Sequence, residues 1–148
     1  MPQLNIQFRA NYALDGVPLD NDLAISNDGL MVSVVNSNVY VYDTRGKRKM
    51  SNSLRSFFDG LNLKSREFDP RVIYDENADK LVIAWLSGSE SKGSSILLGV
   101  TQTNDPLGDW NLYQLPGNPF GDSTWTDYPI LALNGNDLFV TGNFIQDD

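Results

Sequence analysis

Two aspartates, Asp69 and Asp127, each stand at the head of a short apolar run. A pair of carboxylates on neighbouring strands is what glycoside hydrolysis uses, one as acid and the other as base or nucleophile, roughly 5–9.5 Å apart. Beside them lie Arg71, Trp125 and Tyr128. Aromatic rings stack on the C–H faces of a pyranose while carboxylates accept its hydroxyls, so this set also suits a sugar-binding cleft. Each residue has a structural role to weigh against that chemistry. An aspartate at a strand start caps the turn and accepts backbone N–H groups from its neighbour, and Trp125 can pack between sheets as Trp85 and Trp110 do. Because Asp recurs at the head of each passage, the structural role is favoured: a catalytic group is needed once, whereas a structural device repeats. Asp69 and Asp127 are therefore the catalytic candidates, and Arg71, Trp125 and Tyr128 the ligand-binding candidates.

Composition removes much other chemistry. The chain has no histidine and no cysteine, which excludes Ser-His-Asp and Cys-His nucleophiles, His-bearing zinc sites, thiolate metal sites and disulfides within it. Eleven basic against 19 acidic residues give a net charge of −8 and a pI near 4.3. Such a surface repels phosphate backbones and anionic lipid, so neither nucleic acid nor membrane insertion is expected. No stretch approaches the roughly 18 apolar residues of a membrane span, and the N-terminal residues lack the pattern of a signal peptide. The acid-rich turns Asp75–Asp79 and Asn104–Asp109 offer oxygens for calcium, yet their spacing is not that of an EF-hand and hairpin turns favour Asp and Asn anyway. No cofactor is expected, calcium being the alternative. The basic stretch Arg45–Lys49 reads as a solvated turn on an outer hairpin.

The elements that must position these residues repeat. Asp22, Asp69 and Asp127 each open an apolar strand, a tight polar turn and a second apolar strand. A period of roughly fifty residues with about four strands in each is the signature of β-propeller blades. In the first repeat, strands are expected at Leu23–Ser26, Met31–Val35 and Val39–Tyr42, with Asn27-Asp28-Gly29 as a hairpin turn. Leu54, Phe57, Phe58 and Leu61 then fall at helical spacing, so a short helix is expected there. The middle repeat carries Arg71–Tyr74, Leu81–Leu86, Ser95–Gln102 and Trp110–Leu115. Leu81–Leu86 is apolar at every position, so neither face of that strand meets water. The third repeat offers Pro129–Leu133, the Asn134-Gly135 turn and Leu138–Thr141. One further strand is expected at Leu4–Phe8.

The phrases FDPRVIYDENADKLVIAW, GVTQTNDPLGDWNLYQL and WTDYPILALNGNDLFVTGNF resemble bacterial extracellular propeller proteins and, beyond them, sialidase-like and exo-glycosidase propellers. The resemblance spans residues 20 to 145, and its motifs are short. Thr103, Asp105 and Trp110 match an Asp-box, the hairpin between the third and fourth strands of a sialidase blade, while Gly108 falls one place late and Asp109 stands where that motif has Thr. The resemblance implies an exported parent, extracellular or at the cell surface. Sialidase catalysis in that class needs three arginines gripping a carboxylate, with a Tyr nucleophile and its acidic partner. Of the six arginines here, Arg71 alone lies on an expected inner strand.

The expectation is an all-β protein: a β-propeller segment of four-stranded antiparallel blades near residues 20–66, 67–118 and 125–148, forming an incomplete ring. Its expected role is a non-catalytic binding or scaffolding module, with a glycan or protein ligand at the channel mouth and the remaining blades of a parent polypeptide as partners. The alternative is a glycoside hydrolase of sialidase-like type whose catalytic groups come partly from elsewhere.

Overall fold

The computed structural model describes residues 3, 5–11, 18–61 and 63–148. Among the described residues ten strands form two four-stranded sheets and a hairpin, all antiparallel. Sheet one runs β1 (Asp22–Ile25), β2 (Met31–Val34), β3 (Asn38–Tyr42) and β4 (Arg48–Ser53), each strand beside the next. Sheet two repeats that order with β5 (Glu67–Asp75), β6 (Lys80–Ser87), β7 (Ser95–Thr101) and β8 (Trp110–Pro116). The hairpin joins β9 (Thr124–Asn134) to β10 (Asp137–Gln146). Among the described residues the sheets close into no ring or barrel.

Period-two alternation builds the stack. Val32, Val34, Val39 and Val41 share one face of sheet one and pack on Val72, Leu81, Ile83, Trp85 and Leu97 of sheet two. The opposite face of sheet two presents Ala84, Leu86, Ile96 and Leu98 to Leu131, Leu138 and Val140 of the hairpin. β6 is thus covered on both faces, and all of Leu81–Leu86 is buried, as its unbroken apolar run requires.

The connection from sheet one to sheet two carries helix α1 (Leu54–Phe57), a single turn capped by the Ser53 hydroxyl, which accepts the Ser56 N–H at 3.2 Å. A 3-10 turn at Asp59–Leu61 follows. Phe57 and Phe58 meet Trp85 at centroid distances of 5.9 and 5.4 Å, and Phe57 meets Trp110 edge-on at 5.2 Å. The helix therefore serves as an apolar plug against both sheets. The stretch before it is strand β4, which takes in the end of the basic stretch Arg45–Lys49. Its Arg48 and Lys49 belong to that strand rather than to a turn, and Lys49 pairs with Asp43 at 3.3 Å.

The strand expected at Leu4–Phe8 is not formed by the residues that can be followed: Leu4 lies outside the described residues, and 5–8 pair with no strand. Phe8 instead rests on the Tyr42 ring at 5.6 Å, and Ser33 donates to the Asn11 side chain at 3.0 Å. Residues 8–11 so lie across the outer face of sheet one, where Val35, Tyr40 and Tyr42 form a separate cluster with Ala10, Leu19 and Met31.

The first strand of each unit is an edge strand, and these edges meet in succession, β1 against β5 and β5 against β9. That meeting line positions the candidate residues.

Candidate functional site

β5 and β9 are both irregular near their starts. The β5–β6 register shifts between Phe68 and Arg71, and the β9–β10 register shifts opposite Asp127 and Ile130. At each irregularity one non-glycine residue takes a left-handed backbone, Asp69 at φ 51° and Tyr128 at φ 49°, followed by Pro70 and Pro129. Asp20, ahead of β1, has φ 42°. The structural repeat is therefore Asp20, Asp69 and Tyr128, and Asp127 stands one residue before the position equivalent to Asp69. A left-handed conformation in a residue as bulky as Tyr is strained, and neighbours must hold it in place.

Those neighbours are visible. The Tyr128 N–H donates to Asp69 Oδ2 at 3.1 Å. One unit earlier, the Val72 N–H donates to Asp22 Oδ2 at 3.0 Å. Each carboxylate crosses to the backbone of the next first strand. Asn36, buried at the β2–β3 turn, extends the network. Its Oδ1 accepts the Asp69 N–H at 2.7 Å, while its Nδ2 donates to Asp20 Oδ2 at 2.6 Å and to the Pro18 carbonyl at 2.9 Å. Sheet one, sheet two and the hairpin are thereby tied at one end through three polar side chains. An unpaired buried donor costs about 1–3 kcal/mol, so each link matters.

The candidate residues divide between two recesses. Asp69 and Trp125 line a cleft of about 530 Å³ together with Asp20, Asn36, Arg66, Phe68, Glu90 and Lys92. Trp125 stands edge-on to Phe68 at 6.2 Å and keeps part of its surface open. Arg71 and Tyr128 line the second recess, about 540 Å³, with Asp22 and Ile130. There the Arg71 guanidinium sits 4.4 Å from the Tyr128 ring centre, a cation–π contact, and donates to the Pro70 carbonyl at 2.8 Å. Asp127 lines neither recess. Its charge still reaches Asp69: burial first, then the Asp127 charge and the Asp20 charge, raise the Asp69 carboxyl above its ordinary value, against the lowering effects of the Tyr128 N–H and Arg71.

The loop between β6 and β7 closes one wall of the cleft at Asp69 and Trp125. The Ser91 N–H donates to Asp147 Oδ1 at 2.8 Å and the Ser91 hydroxyl to Oδ2, fastening that loop to the segment after β10. Sequence reasoning missed Asp20, Asn36, Arg66, Glu90 and Lys92, all of which lie in turns, loops or at element ends. The only available signal was Asp20-Asn21-Asp22 standing where Asp69-Pro70-Arg71 stands in the next unit.

The Asp-box-like hairpin joins β7 to β8. The Asp105 carboxylate accepts the Leu107 N–H at 2.9 Å, and the Trp110 indole donates to the Pro106 carbonyl at 3.1 Å. Asn104 reaches Asp28 of sheet one at 2.9 Å. None of residues 103–110 lines either recess. In the other acid-rich turn, Asp75 accepts the N–H groups of Asn77 and Ala78 at 2.9 and 3.0 Å, and Asp79 accepts the Tyr74 hydroxyl. Among the described residues no three His, Cys, Asp or Glu side chains converge as metal ligands, and no helix is long and apolar enough to cross a membrane.

In comparison with known proteins, no family model, curated protein or solved structure matches this chain.

Proposed function

We propose that the chain is a segment of a β-propeller-type module, non-catalytic, extracellular or at the cell surface, that binds a glycan in the cleft at Asp69 and Trp125. The observation that carries this reading is the succession of first strands β1, β5 and β9, joined by carboxylate-to-backbone bonds beside a polar cleft. Four-stranded meanders stacked face to face with their first strands adjacent are the geometry of consecutive blades around an axis. The cleft volume of 530 Å³ suits a small ligand. Trp125 and Phe68 supply ring surface, Asp20, Asp69 and Glu90 accept hydroxyls, and Arg66 and Lys92 donate. This mixture of signs favours a neutral or weakly charged sugar over a polyanion.

Asp69 supports the non-catalytic reading because its N–H and one carboxylate oxygen are already engaged in holding strands together. One feature favours the second reading, a glycoside hydrolase of sialidase-like type: burial and then the Asp127 charge raise the Asp69 carboxyl above its ordinary value, the direction in which a general acid is tuned. Titration with a panel of neutral and acidic oligosaccharides, followed by calorimetry, by the Trp125 indole resonance of the native chain and by release of reducing ends, separates the two. Binding without turnover that weakens about tenfold or more in Trp125→Ala supports the module. Turnover that disappears in Asp69→Asn supports the hydrolase. No perturbation of Trp125 by any sugar overturns the cleft as a glycan site.

A further inference from the structure

We propose that the loop between β6 and β7, residues 88–93, is a gate over the cleft at Asp69 and Trp125, latched shut by Asp147. Below the loop both arms are fixed. The Gly88 N–H donates to the Arg66 carbonyl at 3.2 Å, and the Ser94 carbonyl accepts the Gly117 N–H at 2.9 Å. Gly88 and Gly93 both have positive φ, 80° and 94°. A Cβ on Gly88 would lie 3.2 Å from the Gly93 carbonyl oxygen, so the two glycines stand side by side as a narrow neck. A Cβ on Gly93 would meet nothing within 4 Å among the described residues. Glycine passes between backbone regions at little steric cost, which makes this neck a pivot.

Above the neck a single residue ties the tip. Ser89, Glu90 and Lys92 are exposed and line the cleft, whereas Ser91 between them is half-buried and turns to Asp147. Its N–H donates to Oδ1 at 2.8 Å and its hydroxyl to Oδ2. Among the described residues no other hydrogen bond or ion pair joins residues 89–93 to the rest of the chain. Both bonds end on a carboxylate, and such bonds are the stronger kind. Asp147 is itself anchored, its N–H donating to the Ser123 carbonyl at 2.8 Å. The latch thus spans two units, with the loop from sheet two and its keeper from the segment after β10. Asp147 does not line the cleft and acts through Ser91, as a positioning residue. Latched, the loop sets Glu90 and Lys92 in the cleft wall as hydroxyl acceptor and donor; released, it carries both away and opens Trp125 to solvent. The selection of a ligand by Glu90 and Lys92 rests on the glycan reading of the cleft, whereas the latch rests on geometry alone.

The test uses the full chain, first without sugar. Asp147→Ala should speed exchange of the Ser91 amide about tenfold or more, and should increase broadening of the Trp125 indole resonance by a neutral soluble gadolinium chelate. Asp147→Asn keeps an oxygen for the Ser91 N–H and should fall between native and Asp147→Ala. Exchange across Asp137–Gln146 should stay native, because residue 147 keeps its own N–H bond to Ser123. Unchanged Ser91 exchange or Trp125 broadening in Asp147→Ala, or equal loosening of Asp137–Gln146, would overturn the gate. Any oligosaccharide that binds the native chain should leave Asp147→Ala about tenfold faster, and equal release rates would also overturn it. Failure of every oligosaccharide to bind would overturn the glycan reading but not the gate, which the two sugar-free readouts decide.

Discussion

Asp69 concentrates most of the polar work of this molecule. It adopts φ 51°, gives its N–H to Asn36 and accepts the N–H of Tyr128, a residue with a left-handed backbone of its own. Its carboxylate also shares the neighbourhood with Asp20 and Asp127, and burial with those charges raises its pKa. The consequence for stability has a definite sign. A carboxyl whose folded value exceeds its unfolded value adds stability that is fully present below the unfolded value, about 3.8, and lost as pH rises through the raised one. Asp69→Asn keeps an oxygen acceptor for Tyr128 and removes the titration. We therefore expect the stability of the native chain, measured relative to Asp69→Asn by denaturant unfolding, to increase as pH falls from neutral toward 3.8 and then to level off. Parallel pH profiles for the two proteins would contradict the account of Asp69.

At the scale of elements, what was legible in the sequence follows burial. Leu81–Leu86 and the Val-Tyr alternation of Val39–Tyr42 announced themselves because both faces, or one whole face, of these strands are buried. β4 did not. Arg48-Lys-Met-Ser-Asn-Ser53 lies at the edge of sheet one with its side chains exposed or half-buried, so no apolar pattern marks it, and its charges suit an unpaired edge. The irregularities of β5 and β9 were equally hidden: Asp-Pro and Tyr-Pro pairs read as strand starts, whereas both strands extend several residues upstream and the kink lies within them. For that reason the sequence placed Asp69 and Asp127 as equivalents, while the backbone pairs Asp69 with Tyr128. Trp125 and Tyr128 were read as one cleft, and the strand geometry sends them to two.

The junction of sheet two with the hairpin gives a prediction at this same scale. Gly117 accepts both the backbone and the hydroxyl of Thr126, at 2.9 and 2.7 Å, and a Cβ there would lie 2.7 Å from the Ser94–Ser95 backbone. Backbone on that side has little room to retreat. Gly117→Ala should lower stability by about 1–3 kcal/mol, read as a reduced urea midpoint with an unchanged slope. Gly60→Ala, where nothing lies within 4 Å, should leave the midpoint close to native. Equal midpoints for the two variants would show that the junction is looser than described.

The whole molecule is a stack of three antiparallel units, two four-stranded sheets and a hairpin. The acidic surface excludes few partners beyond anions, and the apolar interior is shared between two interfaces rather than gathered in one core. All functional readings depend on the first strands meeting in order. The most direct measurement uses the absence of native cysteine: a nitroxide on Leu23→Cys, at an exposed position of β1, reports neighbouring amides by paramagnetic broadening. Beyond its own sheet, it should broaden β5 strongly and β9 weakly, while leaving β8 sharp. Strong broadening of β8, or of β9 ahead of β5, would contradict the arrangement.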